Sequence, residues 1–104
     1  MIDLTTKIST LDGKPVPFSD GSPEAAVDAT IGAACIVALL NDLTGSPSPE
    51  EKARRFILAQ RMVGVQKIEL AAEDVTRIKH VVGNIYSALI VGRVWEAIDP
   101  ASLK

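Results

Sequence analysis

One cysteine and one histidine are all that 104 residues offer to thiol or imidazole chemistry. Cys35 alone cannot close a disulfide within the chain, and a single His80 without further thiols excludes two-histidine and cysteine-cluster metal sites. Glycine is dispersed: Gly13, Gly21, Gly32, Gly45, Gly64, Gly83 and Gly92 make no G-x-G or G-K-[ST] spacing, so no phosphate cradle of that kind is present. Basic residues do not dominate. Eleven Lys and Arg against thirteen Asp and Glu leave a net charge of −2, the wrong sign for non-specific displacement of counterions from nucleic acid. Long hydrophobic runs are missing too: the longest candidate, Ala29 to Leu40, has 12 residues and includes Thr30 and Gly32. A membrane span needs about 20. The start, Met1 to Lys7, lacks the basic opening and apolar stretch of a secretory signal. No membrane, no cofactor, no metal and no small-molecule substrate is expected.

What is present is an ordinary globular balance, 47% apolar and 23% charged with four aromatics. The length suits one domain over residues 1–104, with roughly 65% of the unfolded surface buried. The expected class is α+β, mostly α: about four helices with a small N-terminal β-hairpin element. Residues 1–20 read as an extended hairpin or arm, with Ile8 to Leu11 and Lys14 to Phe18 joined by Asp12-Gly13 in a type I′ turn. Pro15 and Pro17 confine the second strand to an edge.

Residues 22–99 read as the helical core. Ser22-Pro23-Glu24 has the residue types of a helix start and Thr44-Gly45-Ser46-Pro47 those of a stop, predicting a first helix from there to about Leu43. Its apolar residues spread nearly all the way round, which predicts burial on every side. Ser48-Pro49-Glu50-Glu51 has the pattern of a capping box and opens a second helix. Ala53, Phe56, Ile57, Gln60 and Val63 mark one of its faces, expected to turn inward, and Gly64 ends it. A short strand near 66–70 follows by its alternation. A third helix starts at about Ala72 with Val75, Ile78 and Val82 inward, and is expected to break at Gly83-Asn84. A fourth starts at about Ala88, carries Val91, Val94, Trp95 and Ile98, and ends at Asp99-Pro100.

Three stretches carry a resemblance: Leu11 to Pro15, Glu51 to Gln60, and the closing run from Ile68 to Ile98. Together they resemble a group of small accessory proteins encoded by tailed bacteriophages and prophages. Ala71 stands where that pattern favours Ser or Thr, and Arg93 where it favours Gln. The resemblance implies a phage-encoded accessory protein in the bacterial host cytoplasm or the virion, and it supplies no active site.

The residues themselves offer little chemistry. Cys35 lies mid-run in Ala33-Ala34-Cys35-Ile36-Val37, whereas reactive thiols need a cationic, partly exposed setting. Glu50-Glu51 and Glu73-Asp74 fall in the first turns of predicted helices, where the helix dipole accounts for them. The expected function is therefore non-enzymatic, acting through protein contacts in particle assembly or host-factor binding. The partner is expected to be a second copy of the chain, another phage protein or a host protein. Ile31, Cys35 and Leu39 on the first helix, with Val16 and Phe18 on the arm, are the expected contact residues. The alternative is a small DNA-binding regulator using helices 72–82 and 88–98. The opening Ser87-Ala88-Leu89-Ile90-Val91 of its reading helix has almost nothing to hydrogen-bond a base.

Overall fold

A computed structural model describes residues 2–14, 17–18, 27–28, 30–41 and 47–103. The order is β1 (Ile2–Asp3), β2 (Pro17–Phe18), β3 (Val27–Asp28), α1 (Ile31–Leu40), α2 (Pro49–Met62), β4 (Lys67–Ile68), α3 (Ala72–Ile85) and α4 (Ala88–Ile98), closed by a 3₁₀ turn over Pro100–Leu103. The fold is the mostly helical α+β arrangement that the periodicities predict. Two short antiparallel sheets accompany the helices: β1 with β4, pairing Ile2 with Ile68, and β2 with β3, pairing Phe18 with Val27.

α1 is the central helix and packs against α2, α3 and α4. Its small residues explain how: Ala34, Cys35 and Ala38 are fully buried, so three neighbours can approach closely. Ile31, Cys35 and Leu39 belong to one core with Ile8, Leu58, Met62, Ile78, Val82 and Val94. Burial on most sides agrees with the residue pattern, but the helix is 10 residues long rather than about 20. Its N-cap is Thr30, and Val27–Asp28, expected inside the helix, is β3. Ser22-Pro23-Glu24 and the stop at 44–46 lie outside the described residues.

The start at Thr30 is a tertiary construction. The first amides of a helix lack intrahelical acceptors. Here the N–H of Ile31 donates to the Thr6 carbonyl at 2.9 Å and that of Gly32 to the Leu4 carbonyl at 2.9 Å. Thr30 Oγ1 accepts from Ala33 at 3.1 Å. Only glycine fits at position 32, because an added Cβ would stand 2.9 Å from Leu4 Cβ and 3.0 Å from the Leu4 carbonyl oxygen. Leu4 N–H in turn donates to the Gln66 carbonyl at 2.8 Å, so the N-terminal segment is tied to both α1 and the approach to β4.

The Asp12-Gly13 turn forms, but not as type I′. Gly13 N–H donates to the Thr10 carbonyl at 3.0 Å and Thr10 N–H to the Lys14 carbonyl at 2.8 Å. Only Gly13 has positive φ, at 88°, while type I′ needs it at both central residues. Pro17–Phe18 pairs with Val27–Asp28, while Pro15 and Val16 of the expected second strand lie outside the described residues. Gly83-Asn84 does not break α3, which continues to Ile85. Gly83 is exposed with open space around it, and a lone glycine weakens a helix without ending it. α3 and α4 are then joined through Tyr86 and Ser87, and Tyr86 Oη donates to the Ala34 carbonyl at 2.9 Å, anchoring that corner to α1.

Candidate protein-contact surface

α2 starts as its cap predicts, with Ser48 Oγ accepting from Glu51 N–H at 3.1 Å. The reciprocal half of the capping box is replaced. Glu51 turns to Arg55 Nε at 2.9 Å and accepts from Arg77 of α3 at 2.9 and 3.1 Å. Asp74, nearly buried at the start of α3, accepts from Arg61 at 3.4 Å and from Ala71 N–H at 3.4 Å. Asp74 thereby makes the reciprocal half of a capping box, to the N-cap amide, while Ala71 has no side-chain acceptor to offer the Asp74 amide. This chain of charges joins α2 to α3. Hydrogen bonds from Arg77, then those from Arg55, hold the Glu51 carboxyl below its ordinary pKa, and Glu51 raises that of Arg77.

The same clamp fixes which way α2 faces. With Arg55, Leu58, Ala59 and Met62 turned to the core, the stripe expected to face inward faces outward. Phe56 is 56%, Ile57 54% and Val63 61% exposed, and Ala53 and Gln60 are exposed with them. Leu40, at the end of α1, is 57% exposed and lines a shallow hollow of about 240 Å³ with Leu39, Lys52, Arg55 and Phe56. On the other flank Ile57 borders a groove of about 350 Å³ whose walls include Arg54, Arg61, Glu73, Asp74 and Arg77. α2 is thus a ridge with an apolar crest, an apolar hollow on one side and a charged groove on the other. Isolated exposed apolar residues are ordinary; here three large ones neighbour one another along one helix face.

The expected contact residues are placed elsewhere. Ile31, Cys35 and Leu39 belong to the core of the chain itself, each 3% exposed or less. Val16 lies outside the described residues, as does the side chain of Phe18, whose backbone pairs with Val27. Burial pushes the Cys35 thiol up to about 12, leaving it protonated and unreactive. His80 is exposed on α3, its Nε2 3.2 Å from Asn84 Nδ2. The helices of the DNA-binding alternative, 72–82 and 88–98, correspond to α3 and α4. Arg93, the one basic residue of α4, donates to the Ser9 and Thr10 carbonyls at 2.9 and 3.0 Å and lies 3.3 Å from Glu96. The outward side of α2 was visible in the residue pattern as an apolar stripe. Its direction was not, because that depends on Arg77, 26 residues further along.

Among the described residues no helix is long and apolar enough to cross a membrane, and no three His, Cys, Asp or Glu side chains cluster as metal ligands would. No family model, curated protein or solved structure matches the chain.

Proposed function

We propose that this chain is a non-enzymatic accessory protein that works by binding another protein surface through the outward face of α2. One observation carries the reading: Phe56, Ile57 and Val63 form an apolar stripe in solvent, on the side of the helix opposite its core contacts. Covering a large aliphatic or aromatic side chain is worth roughly 1.5–3 kcal/mol, so a partner seated there gains most of its affinity from these residues. The resemblance to small phage and prophage accessory proteins supports particle assembly or host-factor binding as the setting, in the host cytoplasm or the virion. Engagement of Arg93 within the chain and the sparse polar groups on α4 count against the DNA-binding alternative.

A photoreactive residue at Gln60, inside the stripe, tests the reading in producing cells and in purified protein. The expected result is a discrete heavier adduct from Gln60, lost when Ile57→Asp is added, and none from the same probe at Glu69, which is exposed on the link between β4 and α3. Absence of any Gln60 adduct overturns the contact face. Binding of duplex DNA at low salt that falls steeply as salt rises overturns the protein-contact reading in favour of the regulator.

A further inference from the structure

Resting on α2 as a contact face, we infer that its occupant is a second copy of this chain, with the two α2 helices packed antiparallel. The argument comes from the order of charges beside the stripe. Glu50, Arg54, Ile57 and Arg61 follow one another at helical spacing along a single flank, acid at the start and base at the end. Glu50 and Arg54 have no polar partner among the described residues, although both are exposed beside other charges. Arg61 is half exposed and reaches Asp74 only at 3.4 Å, leaving further N–H donors directed to solvent.

When two identical helices pack antiparallel, the same flank of each meets its counterpart run in reverse. Glu50 of one copy then lies beside Arg61 of the other, and symmetry makes the contact twice. In that register the twofold axis passes next to Phe56, so the two rings meet, and Ile57 lies along the apolar stem of Arg54 from the second copy. Leu40 extends the apolar contact along the opposite flank. Opposed helix dipoles favour the arrangement as well, while a parallel pair sets Glu50 and Glu51 of both copies together at the positive ends without a matching cation opposite. A uniformly acidic helix or an anionic membrane surface complements Arg54 and Arg61 but repels Glu50. A second copy, reversed, answers both signs.

Light scattering behind a sizing column, with a charge exchange, tests this. Wild type at tens of micromolar is expected near 22 kDa, twice the 11.0 kDa of one chain. Glu50→Lys alone and Arg61→Glu alone each set like charges together and are expected to run as monomers. Their equimolar mixture restores both contacts and is expected to return to the dimer mass. Phe56→Glu, at a residue more than half exposed, is expected to run as a folded monomer by circular dichroism. This variant keeps the test decisive should Arg61→Glu disturb α3 through Asp74. A monomeric wild type that still yields Gln60 adducts with other proteins overturns the second copy and leaves the contact face standing. A wild-type dimer indifferent to every substitution overturns α2 as the contact. A dimer broken by Phe56→Glu but not recovered in the mixture overturns the antiparallel register.

Discussion

Glu51 is where two helices are held together. Its carboxylate accepts from Arg55 on its own helix and from Arg77 on α3. Hydrogen bonds to charged groups contribute about 1.5–3 kcal/mol, so Glu51→Gln is expected to cost about 1–2 kcal/mol, reduced from the upper end because the carboxylate is partly solvated. The sign with pH follows from the lowered pKa of the folded state. The ionised carboxylate contributes fully above the unfolded value near 4.5 and loses its contribution as pH falls through the lower folded value. Urea denaturation at a series of pH values should therefore show the gap between wild type and Glu51→Gln at its widest at neutral pH and narrowing in acid. Two glycines give a contrast of sign. Gly32→Ala drives a methyl into the Leu4 carbonyl and is expected to destabilise by about 1–3 kcal/mol. Gly83→Ala meets open space in a helix and is expected to stabilise by about 0.5–1 kcal/mol. Thermal melts that move both variants the same way contradict this account.

The elements divide by how locally they are determined. α2 and α4 start at the residues their sequences indicate; at α2 the Ser48 side chain caps the entry, and α4 begins after Ser87 without a side-chain cap. Ser48→Ala should cost about 1 kcal/mol, read as a lower urea midpoint, since its hydroxyl is the only side chain accepting from Glu51 N–H. α1 is different. The residue types at 22–24 make a stronger local signal than Thr30, yet the helix begins where the carbonyls of Leu4 and Thr6 meet its amides, and no window of neighbouring residues contains those partners. The orientation of α2 was hidden for a related reason. The helix carries two apolar faces, Leu58, Ala59 and Met62 on one and Phe56, Ile57 and Val63 on the other, so hydrophobic periodicity alone cannot choose between them. The Leu58, Ala59 and Met62 face is the one buried, and Glu51 beside it reaches Arg77 of α3, 26 residues further along. The proposed contact face was therefore legible as an apolar stripe, and its exposure was not.

At the scale of the molecule, the first ten residues are held by parts of the chain far from them. β1 pairs with β4, Leu4 donates to Gln66, and the Arg93 guanidinium reaches across from α4 to the carbonyls of Ser9 and Thr10. Arg93→Ala removes two hydrogen bonds from a charged donor and is expected to speed amide exchange at Thr10 to Lys14 by severalfold, with α2 unaffected; unchanged exchange there means the guanidinium is not what secures the turn. The stitching also sets a timetable for biosynthesis. A ribosome delivers residues in order, at roughly 5–20 per second, and a segment can dock only when its acceptor has emerged. Ile2 must wait for Ile68, and Ser9 for Arg93. Residues 2–10 are thus made well before two of the partners that hold them, and chains stalled before residue 93 should leave them open to a protease that the released protein resists.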